Sequence, residues 1–340
     1  MMKTVAIILV IFLVQCAYLR AEPRPGMKEN VGKMLHSDSC IFGVNSVSTY
    51  FYNSNIKGEN VSLESICNDP RQFDSTEKIA FVTHGFVSSP KSTAFQNMTS
   101  ELVQAGYSVF MTDWSQGACT EGIPIFKFVG YPSAVRNTRE IGQFLARIIY
   151  KITYKCKVPL KNFTLIGHSL GAHVSAFAAK EIKKLTNASI PLLLAADPAD
   201  PLFGTRKCDE RLCKTDADHI VVAHTSILGI PYDVGHVDLQ YNNGKWQPGC
   251  NIADVSCSHG KSVEYLTDVL KSNCSFPGIP TEYRKLDLFP REPPYPSSNT
   301  TDCILVNKKI YDSNNPIKGR YYVFVKNPEC TQETFSCEQQ

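Results

Sequence analysis

From Lys78 onward, short apolar runs alternate with stretches of helical periodicity, and that alternation admits few folds. A buried run of about five residues followed by an amphipathic helix, repeated, builds βαβ units. These stack into a largely parallel central sheet flanked by helices on both faces. The runs Ile79 to Thr83, Ser108 to Thr112, Phe163 to Ile166, Leu192 to Ala196 and Ile220 to Ala223 predict strands. Ser133 to Ile152 carries Val135, Ile141, Phe144, Leu145, Ile148 and Ile149 at helical spacing, and Leu170 to Leu185 predicts a second helix. Past about Cys274 the chain becomes rich in Pro, Asn, Ser and Cys, which predicts irregular, disulfide-tied structure in place of a second domain. The expected fold class is therefore α/β, with residues 22–340 as one domain.

The first residues stand apart from this pattern. Lys3 precedes an unbroken apolar run from Val5 to Val14, followed by small and polar residues up to Ala21. That run is too short to span a bilayer but suits the core of a secretory signal peptide, so residues 1–21 read as a leader, with Ala17 as an alternative cleavage point. No later stretch approaches membrane-spanning length, and the mature chain is expected to be exported without a transmembrane segment. The formal charge of +3 falls to +1 once Lys3 and Arg20 are removed. That near-balance gives no reason to expect nucleic acid as a partner.

Cysteine usage agrees with export. Of 13 cysteines, Cys16 lies in the leader, which leaves an even set, and no CxxC pair suggests a metal site. Sequons occur at Asn60, Asn97, Asn162, Asn187, Asn273 and Asn299. Asn162 abuts a predicted core strand and Asn273 has a cysteine in the middle position, so Asn60, Asn97, Asn187 and Asn299 are the expected glycosylation sites.

The chemistry points to Gly167-His168-Ser169-Leu170-Gly171. Such a pentapeptide arises by chance in roughly one chain in ten of this length. Its setting between a predicted strand and a predicted helix is what gives it weight. A sharp strand-to-helix turn lifts a serine Oγ clear of the sheet, and the glycines on either side remove side chains that would collide. A serine hydroxyl needs a base, and the base needs a carboxylate to hold its tautomer. Asp197 closes the apolar run Leu192 to Ala196 and so falls at a strand end, while its rival Asp200 lies past Pro198 and off the strand. His219, His224, His236 and His259 all follow Asp197, and spacing alone leaves the choice open. His259 stands between a cysteine-rich loop and the helical pattern Val263, Leu266, Val269, Leu270. A tetrahedral oxyanion also needs N–H donors, for which Leu170 and Phe86, in the turn His84-Gly85-Phe86, are the candidates.

These residues resemble the pancreatic-lipase-like family. The resemblance runs from about Cys40 to the C-terminus and rests on several segments in order. They are Phe81 to Phe86, Asp113-Trp114, Gly167 to His173, Asp197-Pro198-Ala199, His224-Thr225, Gln247 to Cys250 and Cys257-Ser258-His259. It implies an α/β-hydrolase fold, a triad of Ser169, Asp197 and His259, and Phe86 and Leu170 as oxyanion donors. It also implies disulfides Cys40–Cys119, Cys208–Cys213 and Cys250–Cys257. At the acidic positions where vertebrate relatives hold calcium this chain has Cys208 and Cys213, so no metal or other cofactor is expected. Among the remaining six cysteines, which allow 15 pairings, we pair Cys67 with Cys156 and leave the others open.

Within the family the chain looks most like the insect venom phospholipases A1. It has no room for the C-terminal β-sandwich of pancreatic lipases, and Cys250 and Cys257 enclose only Asn251 to Ser256 where lipases carry a long lid. A reduced lid implies a polar-rimmed cleft, in which a phosphate headgroup sits at the mouth. Phe86 and Ile227 to Ile230 are then candidates to touch lipid, with ordinary core packing as the competing reading. Asp200, a second carboxylate near the site, is expected to be solvated. The resemblance implies a monomeric, secreted serine esterase that cleaves the sn-1 ester of glycerophospholipids at a membrane or micelle surface. A triacylglycerol or galactolipid lipase, or a non-catalytic lipid carrier on the same fold, are the alternatives.

Overall fold

Among the described residues, eleven strands hydrogen-bond into one sheet, in the order β10-β9-β11-β8-β7-β6-β5-β3-β4-β1-β2. The computed structural model describes residues 40–326 and Cys330, apart from 41–42, 45, 63–66, 68–75, 120–129, 253, 284–291 and 297–301. The leader expected over residues 1–21, the sequon at Asn299 and Cys337 lie outside the described residues.

The strands are β1 (Ser48–Tyr52), β2 (Lys57–Asn60), β3 (Lys78–Thr83), β4 (Tyr107–Asp113), β5 (Phe163–His168), β6 (Ile190–Ala196), β7 (Ala217–His224), β8 (Val237–Tyr241), β9 (Phe276–Pro280), β10 (Ile304–Val306) and β11 (Gly319–Val323). β4, β3, β5, β6, β7, β8 and β11 run parallel, while β1, β2, β9 and β10 add antiparallel edges. Each strand foreseen in the sequence is present. The central ones read as continuous apolar runs because helices cover both of their faces.

The helices are α1 (Thr93–Gln104), α2 (Tyr131–Lys155), α3 (Leu170–Thr186) and α4 (Val255–Leu270). α2 and α3 cover one face of the sheet through Ile141, Leu145, Ile149, Val174, Ala178 and Ile182, and α1 and α4 cover the other through Met98, Leu102, Val263 and Leu266. α3 stops where Asn187 adopts a left-handed conformation (φ 56°), with Lys183 and Lys184 in its last turn opposing the negative end of the helix dipole.

The expectation of irregular structure after Cys274 is corrected. β9, β10 and β11 continue the sheet there, joined to it through the parallel pairing of β11 with β8. Their proline- and glycine-bearing sequences, such as Phe-Pro-Gly-Ile-Pro in β9, are tolerated because they lie toward a sheet edge. Cys274 is bonded to Cys330, and Cys40–Cys119, Cys67–Cys156, Cys208–Cys213 and Cys250–Cys257 are the other disulfide pairs among the described residues whose two partners are both placed. The side chains of Asn60, Asn97 and Asn187 are exposed. Asn162 instead donates through Nδ2 to the carbonyl of Glu77, 3.2 Å away.

Strand order also locates the site. The chain moves from β3 to β4 in one direction and then returns to place β5 on the other side of β3. At such a reversal the loops leaving two neighbouring strands diverge and open a crevice at their carboxyl ends. Here those loops begin at His84 after β3 and at Ser169 after β5.

Candidate active site

Ser169 stands between β5 and α3 with φ 56° and ψ −121°, a conformation that costs on the order of 1–3 kcal/mol and persists only where its surroundings enforce it. They do so from several sides. The Ser169 N–H donates to the Ala196 carbonyl at 2.9 Å, and the Ser169 carbonyl accepts from Ala172 at 3.1 Å and Ala199 at 3.3 Å. A Cβ on Gly167 would lie 2.2 Å from the Gly171 carbonyl oxygen, and one on Gly171 would lie 2.2 Å from that of Thr83. The two glycines thus let strand, turn and helix approach more closely than any side chain permits.

Asp197 follows β6 directly, with φ 45° and its N–H donating to the Ala223 carbonyl at 2.8 Å. Its side chain has no solvent exposure. Oδ1 accepts from the Thr225 N–H at 2.9 Å, while Oδ2 accepts from Ser226 Oγ and lies 2.7 Å from Nδ1 of His259. A Cβ on Gly229 would fall 2.2 Å from Oδ1, so glycine at that position keeps the space the carboxylate occupies. Asp200 is not solvated as expected: it is half-buried beyond Pro198, and desolvation pushes its carboxyl above the ordinary range.

His259 sits within α4 and not on a loop ahead of it, because Asp254 starts the helix early by accepting the Cys257 N–H at 3.0 Å. The other three histidines that spacing left open are occupied elsewhere. His219 Nε2 lies 3.0 Å from the Ile310 carbonyl, His236 Nδ1 accepts from the Ile220 N–H at 3.0 Å, and His224 bridges the Ile230 carbonyl and Asp238. Of the four, the structure brings His259 alone to Asp197.

His168, next to Ser169 in the chain, faces the His259 ring with centroids 4.5 Å apart. Nothing in the sequence marked it. Its Nε2 donates to the His259 carbonyl at 3.2 Å, and burial, followed by the neighbouring His259, holds its imidazole well below the usual range and so neutral. Ser226 and the Thr225 N–H were likewise missed. Thr225 contributes through its main chain, which leaves no residue-type signal, and Ser226 is one serine among many in loops.

The Phe86 ring packs edge-on against Tyr131 at 5.0 Å, and the Tyr131 hydroxyl donates to the Pro201 carbonyl at 3.1 Å. Among the described residues the N–H groups of Phe86 and Leu170 donate to no backbone carbonyl. Ser226, Ile227, Gly229 and Ile230 line a cavity of about 820 Å³ that also meets Tyr283 and Arg320. Ile230 is fully buried, so for that residue core packing is the role observed.

The chain is 40% identical to a protein named phospholipase A1 from Solenopsis invicta, covering 100% of both chains. It is 42% identical to a phospholipase A1 from Dinoponera quadriceps over 88% of this chain and 80% of that one, and 36% identical to phospholipase A1 4 from Polistes dominula over 86% and 93%. Residues 49–323 match the family model described as Lipase, and the chain belongs to that family.

Proposed function

We propose that the chain is a secreted phospholipase A1 that cleaves the sn-1 ester of glycerophospholipids through an acyl-enzyme. The observation that carries the reaction type is the hydrogen bond between His259 Nδ1 and the buried Asp197. A carboxylate in that place holds the proton on Nδ1, leaves Nε2 as the base, and stabilises the imidazolium formed when the base is used. Ser169, on its strained turn, is the nucleophile. His259 takes the hydroxyl proton as Oγ attacks the ester carbonyl, then returns it to the departing lysophospholipid, and water clears the acyl group by the same path. The N–H groups of Phe86 and Leu170 receive the oxyanion.

Likeness to a relative named phospholipase A1 along its full length supports the substrate class. The loop bounded by Cys250 and Cys257 supports it too, since so short a segment leaves the cleft open to a polar headgroup. Cys208 and Cys213 are joined where the resemblance places calcium-binding acidic residues, so the reading includes no metal. Export rests on the leader expected over residues 1–21 and on the disulfides, which persist in oxidising compartments. Among the described residues no helix is long and apolar enough to cross a membrane.

Replacing Ser169 by Ala tests the assignment. Fatty-acid release from phosphatidylcholine should fall by about four orders of magnitude or more while secretion and fold persist. Release at the wild-type rate would refute it.

A further inference from the structure

Ser226 occupies the junction of the Asp197–His259 pair. Its Oγ is 2.5 Å from Asp197 Oδ2 and 3.2 Å from His259 Nδ1, and it accepts the Leu228 N–H at 3.1 Å. The residue is 5% exposed, so water does not compete freely for these bonds. A serine hydroxyl has one proton to give and two lone pairs. An ionised carboxylate only accepts, so the Ser226 proton must point at Oδ2. Its lone pairs then face the Leu228 N–H and His259 Nδ1, and an acceptor facing Nδ1 requires that this nitrogen carry its own proton.

We propose that Ser226 is a positioning residue of the catalytic machinery: by donating to Asp197 Oδ2 it presents an acceptor to His259 Nδ1 and holds the imidazole in the tautomer whose Nε2 is free to act as base. The hydroxyl touches no substrate and acts only through Asp197 and His259. It does two things to them. It fixes the ring plane, because two acceptors converge on one N–H. It also draws charge from the carboxylate, which tempers the stabilisation of the imidazolium. Among the described residues, these charged and titratable groups lie on the elements packed around the pair. His168 faces the ring from the end of β5, the His224–Asp238 pair lies behind the Ile230 carbonyl, Asp200 follows β6, and Lys261 and Glu264 share α4 with His259. None of them contacts Oδ2 directly among the described residues.

The inference rests on the triad reading above, and its test is arranged to be separable from the lipid substrate. The variants Ser226→Ala and Ser226→Thr are assayed on a soluble short-chain ester and by the rate of Ser169 labelling with a fluorophosphonate, each across pH. Ser226→Ala should lower kcat about tenfold with KM nearly unchanged. It should also move the acidic limb of kcat/KM upward by about half a pH unit or more, since a less satisfied carboxylate favours the imidazolium. The downfield proton resonance of His259 Nδ1–H should shift. Ser226→Thr, which keeps the hydroxyl, should restore kcat and the limb. An unchanged acidic limb in Ser226→Ala, or identical behaviour of the Ala and Thr variants, would overturn the proposal. If phosphatidylcholine is not hydrolysed but the soluble ester is, the substrate reading fails and this one stands or falls on the limb. If Ser169→Ala retains esterase activity, the triad itself fails and takes the proposal with it.

Discussion

His168 donates through Nε2 to the main-chain carbonyl of His259, and the two rings lie with centroids 4.5 Å apart. The strand-to-helix turn that carries Ser169 is thus tied directly to the helix that carries His259. Because His168 is held neutral by burial, it adds no positive charge beside the imidazolium that the proposed mechanism forms on His259. His168→Leu removes the tie and should lower kcat about 10- to 100-fold, the cost of a misplaced base. Turnover of a soluble ester checks this, and an unaltered kcat would contradict the positioning role.

Gly229 carries no chemistry of its own, yet a Cβ there would lie 2.2 Å from Asp197 Oδ1. Gly229→Ala should displace either the carboxylate or the segment that follows Ser226. The expected outcome is a fall in kcat of about 100-fold, with stability reduced by roughly 1–3 kcal/mol through overpacking. Kinetics and a denaturant titration on one preparation separate the two effects.

Ile252, in the short loop closed by Cys250 and Cys257, is 69% exposed, more than any other large apolar side chain described. On the proposed function, Ile252, just ahead of the helix that carries His259, is expected to meet lipid that approaches the cleft. Ile252→Asp should reduce hydrolysis of phosphatidylcholine vesicles about fivefold, on the order of the burial free energy of part of one such side chain. Hydrolysis of a monomeric soluble ester should not change. Equal loss on both substrates would place the effect within the site and not at the surface.

His173 has no solvent exposure, donates through Nε2 to the Ala199 carbonyl at 2.9 Å and accepts the Leu212 N–H on Nδ1 at 3.1 Å. Burial first, and the nearby Arg211 and Arg206 in addition, lower its pKa to about 3. The unfolded chain therefore binds a proton near pH 6.5 that the folded chain refuses until far lower pH. Stability from this group is complete above about pH 6.5 and falls by up to about 1.4 kcal/mol per unit as pH drops toward 3. Denaturant midpoints at pH 7, 5 and 4 measure the slope, which should flatten in His173→Asn.

The parallel core and the strand-to-helix turn at Ser169 were legible because each rests on a local pattern. Leu192 to Ala196 reads as a buried strand from its short, continuous apolar run, and Gly167 to Gly171 keeps its meaning within five residues. β9, β10 and β11 were not legible, since short edge strands owe their form to the neighbours they pair with, and Pro277 and Gly278 argue locally against a strand. Among the site residues, the choice of His259 came from family resemblance. Physically it depends on a meeting across 62 residues that spacing does not encode. Ser226 and His168 were missed for the same reason: their partners are carboxylate and carbonyl oxygens supplied by other elements.

The most direct measurement uses a phosphatidylcholine with different acyl chains at sn-1 and sn-2, hydrolysed by the purified protein and followed by mass spectrometry of both products. The account predicts that the sn-1 fatty acid leaves first and that the lysophospholipid retains the sn-2 chain. Primary release of the sn-2 acid, or no release of either, would contradict it.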